Sequence, residues 1–415
     1  MILLQEHDKI EDIDAPVGKY DNLSLVSWSK PSDNNSWGYY ASYKIGAEWI
    51  DDNEAIVVTA KRGMERIDFL SMFMTCFTSN LAIESFSKIY SIESNQPAID
   101  APSLRGVISP LIIVHYLGIV SRIKTLKRGY VHHHENLKKV KGHIRVLQNE
   151  RTNVAIKRFD RIYCDYDDYS VDIPENRLLK KALLFSQRFV LGIEEHHPSY
   201  QIIKQKLAKC LSLFDNVSAD VDIKDIKLFN GNRIYKDYAE AIRLAKLVLN
   251  HFDYSINKAN SSNNKIVPFV LDMSLLYEHY VYGMLYEAYK SRIKYQYEGT
   301  TGTPDFLYCS ERFKAILDTK YIPKYDNTPL DTYVIRQLSG YSRDIPILER
   351  LGYEIKDDSP TPPVPCIVVY PKETKMDGNP FLEKPLMGLC TNKVNNISQF
   401  YLISVPVPIK LNTTV

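Results

Sequence analysis

The pattern of apolar and polar residues changes twice along the chain. The first change separates a β-rich region from a helical one. Two segments rich in aromatic and β-branched residues, GYYASYKIGAEWI (38–50) and EAIVVTAKR (54–62), predict strands. We therefore expect a β-rich N-terminal domain over residues 1–106. Over residues 107–260, apolar positions recur mainly at helical spacing, which predicts a helical middle region.

A second change of pattern follows a polar segment, 257–265, which predicts a linker. Beyond it we predict a long helix at about 268–290, two strands within 303–321, a helix near 330–343 and the apolar strands CIVVY and FYLISVPV. Strands that alternate with helices indicate a mixed sheet flanked by helices, here over residues 261–415. The predicted fold class is a multidomain α+β protein.

Composition narrows the classes of protein that the chain can represent. It has 415 residues and a formal net charge of only +2, so any nucleic-acid surface must be local. The six cysteines are scattered without a CxxC pair, which argues against a disulfide framework or a zinc site and predicts a reducing, cytoplasmic location. The most apolar run, VISPLIIVHYLGIV (107–120), contains a proline and a histidine and is too short to span a bilayer, so we expect no membrane contact.

The one strongly basic stretch runs from Arg122 to Arg161 and contains twelve Lys or Arg against three acids. Its central cations make it a candidate DNA-binding surface, because Lys and Arg supply most of the sequence-independent affinity for DNA. An ordinary solvated face, or a contact with an acidic partner, remains an alternative. The candidate DNA-binding residues are Lys138, Lys139, Lys141 and Arg145.

Three consecutive histidines, His132, His133 and His134, lie in the same stretch. Neighbouring side chains on an extended strand point to opposite faces, so three histidines in a row seldom bind one ion. We therefore do not predict a metal site there.

The stretch TPDFLYCSERFKAILDTKY (303–321) places acids and a lysine within an apolar frame. If the chain reverses at Ser310 to Phe313, residue 309 pairs with 314, 307 with 316 and 305 with 318. Asp305 then faces Asp318 with their Cβ atoms roughly 4.5 to 5.5 Å apart, a separation at which like charges destabilise the pair. Lys320, two residues after Asp318, projects from the same face of the strand.

Two opposed carboxylates and a neighbouring lysine fit phosphodiester hydrolysis. A hard divalent ion such as Mg²⁺ prefers oxygen ligands, and Asp305 and Asp318 are the candidate ligands. Such an ion lowers the pKa of a bound water, and Lys320 is the candidate group that orients this water or stabilises developing negative charge. The alternative is a surface hairpin in which the Asp and Lys form a solvated pair.

Two further features belong to the candidate site. Glu278 lies on a largely apolar helix, where a carboxylate needs a partner, so it is a third candidate metal ligand, although a salt bridge on the helix face explains it equally well. Gln337 and Tyr341 are four residues apart on one helix face and can both hydrogen-bond to a phosphate or to Lys320. As an isolated pair they are more typical of a helix surface.

Together these residues resemble the PD-(D/E)xK nuclease superfamily, with PD at Pro304 and Asp305, DTK at Asp318 to Lys320, an upstream helical glutamate and a downstream Gln-x-x-x-Tyr like that of the RecB-type branch. Four longer segments resemble McrC proteins, the nuclease subunits of McrBC-type and LlaJI-like restriction systems. They are VVTAKRGMERIDFLSMF, KRGYVHHHENLKKVKGHI, RFDRIYCDYDDYSVDIPENRLLKKAL and LDMSLLYEHYVYGML. The resemblance covers roughly residues 40 to 345 in the expected order.

This resemblance implies a Mg²⁺-dependent DNA endonuclease subunit that works with a McrB-like AAA+ NTPase hexamer. It also implies that the N-terminal domain docks on this motor and stimulates nucleotide hydrolysis. The 415 residues contain no GxxxxGK[ST] phosphate loop, so we expect no nucleotide to bind this chain itself. Two alternatives remain open: a non-catalytic adaptor that activates the AAA+ partner, and a stand-alone RecB-like repair nuclease.

Overall fold

A computed structural model of the chain describes residues 1–11, 18–30, 36–77, 86–93, 95–195, 197–223, 226, 235–256, 265–326, 329–355, 363–372 and 378–410. It has a mixed α/β architecture with several sheets and helices, as the sequence predicts. Most of the predicted linker, residues 257–264, lies outside the described residues.

The strands of the described residues are short in the N-terminal region and longest in the middle of the chain. They are β1 (Ile2–Gln5), β2 (Val26–Ser29), β3 (Gly38–Ala41), β4 (Lys44–Trp49), β5 (Ala55–Thr59), β6 (Tyr90–Ile92), β7 (Ile99–Asp100), β8 (Gly129–Leu137), β9 (His143–Ile144), β10 (Ile162–Ser170), β11 (Lys265–Ile266), β12 (Phe269–Asp272), β13 (Ile293–Tyr295), β14 (Phe306–Cys309), β15 (Lys314–Thr319), β16 (Cys366–Lys372), β17 (Asn392–Lys393) and β18 (Phe400–Pro406).

The α-helices of the described residues concentrate in the middle and C-terminal thirds of the chain. They are α1 (Phe69–Cys76), α2 (Arg105–Val120), α3 (Val146–Thr152), α4 (Pro174–Leu191), α5 (Tyr200–Leu213), α6 (Lys236–Ile256), α7 (Met273–Tyr289), α8 (Thr332–Tyr341), α9 (Ile345–Arg350), α10 (Pro380–Glu383) and α11 (Leu386–Leu389).

The chain forms two compact units, residues 1–111 with 260–415, and residues 112–259. This division differs from the three predicted domains, because the N-terminal and C-terminal regions share one unit. The physical reason is strand β12, which follows the predicted linker in sequence but pairs with β4 and β6 of the N-terminal region. The resulting five-stranded sheet has the order β1-β5-β4-β12-β6.

The C-terminal region contains a six-stranded sheet of order β13-β14-β15-β16-β18-β17. Strands β15, β16 and β18 run parallel and the remaining pairs are antiparallel, so the sheet is mixed, as predicted. Apolar side chains of α8 and α9, such as Leu338 and Ile347, pack in one buried cluster with Ile316 and Val368. On the opposite face of the sheet, the Phe306 ring stacks on a tyrosine ring of α7, with 5.9 Å between the ring centres. Helices therefore cover both faces.

The middle unit contains helices α4, α5 and α6, but its first part is a sheet that the helical prediction missed. Strands β8 and β10 pair over nine residues each, and β9 pairs with the other side of β10. Cross-strand rings explain why this polar segment is extended: Tyr130 and Tyr169 lie 5.2 Å apart, and His133 stacks on Tyr166 at 5.0 Å.

Helix α2 corrects one expectation about the apolar run at 107–120. With the helical turn that precedes it, the helical segment extends over Pro102–Val120, 19 residues with a mean hydropathy of 1.6, which is long and apolar enough to cross a membrane. Of this window, 83% is buried inside the protein, and buried core helices share the same length and composition.

Candidate active site

The hairpin β14–β15 has the predicted register. Residue 309 pairs with 314 and residue 307 with 316, and the chain reverses at Ser310, whose backbone N–H donates to the Phe313 carbonyl at 3.1 Å. The ladder begins at the pair Phe306–Leu317, so Asp305 lies one residue before β14, beside the end of β15 that carries Asp318.

Asp305 is fixed by hydrogen bonds to the residue after Asp318. Its Oδ2 accepts from the backbone N–H of Thr319 at 2.6 Å and from the Thr319 hydroxyl at 2.5 Å. The carboxylate therefore lies across the end of β15. Its second oxygen, Oδ1, can accept a hydrogen bond or bind a metal ion. Thr319 has no chemistry of its own that marks it in the sequence, and its role as the positioning group becomes visible only with the fold.

Asp318 and Lys320 form a buried ion pair between Lys320 Nζ and Asp318 Oδ2. The Asp318 side chain is 2% exposed and that of Lys320 is 21% exposed. As predicted from the two-residue spacing, both project from one face of the strand. The backbone N–H of Lys320 donates to the Val369 carbonyl at 2.9 Å, which anchors the lysine to the neighbouring strand β16.

Glu278, on helix α7, belongs to the same cluster as Asp305 and Asp318. Its residue is 7% exposed, and its Oε1 accepts from the Gln296 side chain at 2.8 Å. Gln296 also donates its backbone N–H to the Asp305 carbonyl at 2.9 Å and has a φ of 42°, in the left-handed region. This glutamine connects two of the candidate metal ligands, and sequence reasoning missed it because one glutamine after a short strand gives no signal.

Burial raises the pKa values of the three carboxyls of the site. Burial raises the pKa of Asp305 well above its usual range, and the charges of Asp318 and Glu278 raise it further. Burial also raises the pKa of Glu278 and of Asp318, although Lys320 partly offsets the effect at Asp318. For Lys320, burial lowers the pKa, but the charge and hydrogen bond of Asp318 outweigh it and the net shift is upward. Three acids thus gather where one lysine supplies the positive charge.

This donor set fits a hard divalent cation. Carboxylate oxygens are the ligands that Mg²⁺ prefers, and it usually binds one or two of them together with water and phosphate oxygens. Burial disfavours the ionised forms of Asp305, Asp318 and Glu278, and the neighbouring carboxylates add to this effect at Asp305 and Glu278, so a bound cation would stabilise the ionised acids. The chain therefore offers three oxygen-bearing side chains to the ion that the sequence predicts.

Helix α8 brings Gln337 and Tyr341 beside the carboxylates. The Gln337 amide donates to the Tyr341 hydroxyl at 2.9 Å, and its Oε1 is buried without a hydrogen-bond donor among the described residues. Burial raises the pKa of Tyr341, the hydrogen bond from Gln337 lowers it, and the charges of Asp318 and Asp305 raise it again, so this hydroxyl is close to both acids. The two residues thus form a hydrogen-bonded pair, and the charges of both acids act on its Tyr341 hydroxyl.

Lys61, which follows strand β5 of the N-terminal sheet, contacts the residue that follows Lys320. It is 8% exposed, its Nζ donates to the Tyr321 carbonyl at 2.5 Å, and the same atom lies 3.3 Å from the centre of the Tyr321 ring. Its backbone N–H donates to Glu6 at 2.9 Å. Burial lowers the pKa of Lys61 to about 8 and raises that of Glu6 to about 7, and each charge opposes the effect of burial on the other. The residue after Lys320 is thus held by a buried lysine.

Replacing Lys61 by methionine tests this support. Met keeps the length of the side chain but removes the charge and the hydrogen bond to Tyr321, so we expect the free energy of unfolding to fall by up to about 3 kcal/mol. Urea denaturation measures the change. The double variant Lys61→Met/Glu6→Gln should recover part of the loss, because Glu6 no longer needs a cation. Equal stability of Lys61→Met and the unmodified protein would rule out a supporting role.

The raised carboxyl pKa values also predict how Mg²⁺ binding depends on pH. The ion displaces protons from the carboxyls, and these protons are held to a higher pH than in ordinary acids. The rise in Tm that Mg²⁺ causes should therefore keep growing as the pH is raised above the range in which ordinary carboxyls ionise, and thermal unfolding at several pH values measures it. Asp318→Asn should weaken this dependence. A Mg²⁺ effect that stays constant over the range would contradict the shifts.

The basic stretch is only partly free to bind another molecule. Lys138 and Lys139 are exposed after β8, whereas Lys141 lies 3.8 Å from the centre of the Tyr166 ring, and Arg145 pairs with Asp165 at 2.8 Å. Acids of β10 therefore offset part of the positive charge.

Comparisons with known proteins identify the family. The sequence model of the family described as McrBC 5-methylcytosine restriction system component matches residues 111–341, more than half of the chain. That range contains Glu278, Asp305, Asp318 and Lys320 as well as the pair on α8. No curated protein matches the chain.

Two similar solved structures come from Thermococcus gammatolerans. One is a half-complex from a tetradecameric assembly of McrB AAA+ hexamers with bound McrC, at 15% identity and a TM-score of 0.35, with 98% of this chain and 94% of that chain covered. The other is a McrBC complex at 15% identity and a TM-score of 0.33, with 68% and 86% covered. The family match stands without them, and it confirms the resemblance found in the sequence: the chain belongs to the family of McrBC 5-methylcytosine restriction system components.

Proposed function

We propose that this chain is the Mg²⁺-dependent DNA endonuclease subunit of a McrBC-like restriction system, with a nuclease domain of the PD-(D/E)xK type. The observation that carries the proposal is the convergence of Glu278, Asp305 and Asp318 around the end of β15, with Lys320 in a buried ion pair. The family match is the reason to propose a restriction system, and the cluster is the reason to propose phosphodiester hydrolysis. The six free cysteines agree with work in a reducing cytoplasm.

Each residue of the cluster has a distinct part in the proposed reaction. Asp305, Asp318 and Glu278 would hold Mg²⁺, which when bound polarises the phosphate and lowers the pKa of a water molecule. Thr319 and Gln296 keep the carboxylates in place.

The remaining side chains would act on the substrate. The ammonium of Lys320 orients the attacking water and stabilises the negative charge that develops on the phosphate. Gln337 and the Tyr341 hydroxyl offer hydrogen bonds to Lys320 or to a phosphate oxygen.

We further propose that cleavage requires a McrB-like AAA+ NTPase hexamer and that the N-terminal region stimulates its nucleotide hydrolysis. The sequence supports this division of labour, because its 415 residues contain no phosphate loop while the family belongs to a multicomponent restriction system.

Reconstitution with a McrB-like AAA+ NTPase tests the function. Plasmid DNA should be cleaved only when the partner, its nucleotide and Mg²⁺ are all present. Stimulated nucleotide hydrolysis without cleavage in any divalent metal would instead establish the adaptor. Efficient Mg²⁺-dependent degradation of linear DNA by this chain alone would establish the stand-alone nuclease.

The exposed lysines after β8 are the proposed DNA contact, and their replacement gives a specific prediction. Lys138→Ala/Lys139→Ala removes two cations that would lie near phosphates, so the slope of log affinity against log salt should fall by about 2. DNA binding by the assembled complex, titrated at several salt concentrations, measures the slope. Lys204→Ala/Lys209→Ala on α5 removes the same charge and should leave the slope unchanged. Identical slopes for the two double variants would move the DNA contact elsewhere.

A further inference from the structure

The polar face of the three-stranded sheet β8-β10-β9 carries a cluster of histidines and acids, separate in sequence from the carboxylate site. Side chains two apart on a strand share a face, so the alternation that separates His133 from its neighbours brings His132 and His134 together. Their ring centres are 4.5 Å apart. Two histidines on one face can therefore face the same ion, whereas three successive ones cannot.

Carboxylates on the neighbouring strand hold both rings. Nδ1 of His132 lies 2.7 Å from Asp167 Oδ1, and Nδ1 of His134 lies 2.5 Å from Asp165 Oδ1. An ionised carboxylate only accepts hydrogen bonds, so each Nδ1 carries the hydrogen and donates it. A divalent ion can take the place of the hydrogen between His134 Nδ1 and Asp165 Oδ1, so that the ring and the carboxylate become ligands of one ion.

The cluster also has the spacing of a metal site. One potential ligand atom from each of His132, His134 and Asp165 lies within 4.8 Å of the other two. His134 and Asp165 are directly opposed in the β8–β10 register, so backbone pairing fixes their spacing. The histidines are exposed and Asp165 is partly exposed, so an ion can enter from solvent.

We propose that His132, His134 and Asp165 form a binding site for a divalent transition-metal ion of the Zn²⁺ type. Imidazole nitrogens favour Zn²⁺, Ni²⁺ and Cu²⁺ over Mg²⁺, which prefers an all-oxygen set, so the ion differs in class from that of the carboxylate site. Water completes the coordination. Because the ligands come from both β8 and β10, a bound ion links the two strands and stabilises their pairing.

Arg145 provides a second test, in which the expected change in Zn²⁺ affinity is an increase. Its Nε lies 2.8 Å from Asp165 Oδ2, where its charge competes with a cation for the same carboxylate. Arg145→Gln removes the competitor and should tighten Zn²⁺ binding, whereas loss of a ligand should weaken it.

The experiment is a Zn²⁺ titration of the metal-free full chain, in competition with a chromophoric chelator and in the Asp318→Asn background, so that the carboxylate site contributes little. We expect one Zn²⁺ per chain. His132→Ala/His134→Ala should weaken binding by at least about tenfold, and the matched control His133→Ala, on the opposite face, should not. Co²⁺ should give a visible absorption band that the double variant loses.

Both histidines are exposed, so their replacement leaves the core intact, and circular dichroism checks that the variants fold. Three results would overturn the site: no saturable Zn²⁺ binding, equal affinity in His132→Ala/His134→Ala and its parent, or an equal loss in His133→Ala. None of them touches the proposed nuclease, which is assayed with Mg²⁺ and the unmodified carboxylates.

Discussion

Lys320→Met should reduce DNA cleavage by the assembled complex by on the order of 10²- to 10³-fold, the usual cost of losing one charge-stabilising donor in an active site. The methionine keeps most of the apolar stem but removes the ammonium that pairs with Asp318. Because the residue lies at the end of β15 and is partly exposed, assembly with the partner should survive. Single-turnover cleavage of plasmid DNA, beside partner NTPase stimulation, measures both expectations.

Lys314→Met is the matched control for this variant. It lies on the same strand, and its Nζ donates to the Gly352 carbonyl at 2.5 Å, away from the carboxylates. Cleavage by Lys314→Met should stay near that of the unmodified protein. If Lys320→Met also cleaves at that rate, the lysine has no part in the reaction.

Asp305→Asn should stabilise the metal-free protein while it removes cleavage. Asn still accepts the hydrogen bonds of Thr319 but carries no charge, so repulsion with Asp318 and Glu278 disappears. A raised carboxyl pKa costs stability above that pKa, and this cost vanishes as the pH falls and the acid becomes protonated in both states. The gain in Tm in EDTA should therefore be largest at alkaline pH, with cleavage down by at least on the order of 10²-fold.

Glu311→Gln, at the exposed tip of the same hairpin, is the control for Asp305→Asn because it removes one negative charge far from the other acids. It should change neither Tm in EDTA nor cleavage. Thermal unfolding across pH separates the two variants. A fall in Tm for Asp305→Asn at alkaline pH would contradict the repulsion inferred at the site.

The hairpin was predictable because its information is local. The apolar positions of β14 and β15 and the polar turn between them determine which residues are opposed, and the register then places Asp305 beside Asp318. Lys320 follows from the two-residue period of a strand. The same reasoning predicted the mixed sheet, since its strands are continuous apolar runs separated by helices.

The features that escaped prediction depend on contacts between distant residues. Lys61 and Tyr321 are 260 positions apart, and neither pattern nor spacing connects them. Strand β12 pairs with β4 across more than 200 residues, so local hydrophobicity could not assign it to the N-terminal sheet. The strands β8 and β10 are polar, and their stability comes from cross-strand ring and charge pairs, which a search for apolar alternation does not detect.

Asp318→Asn tests most directly whether the cluster around the end of β15 hydrolyses DNA. Supercoiled plasmid is incubated with the reconstituted complex, nucleotide and Mg²⁺, and products are separated by electrophoresis alongside a measurement of partner NTPase activity. We predict linear product with the unmodified chain and none with Asp318→Asn, at equal NTPase stimulation. Equal cleavage by the two proteins would contradict the assignment of this site.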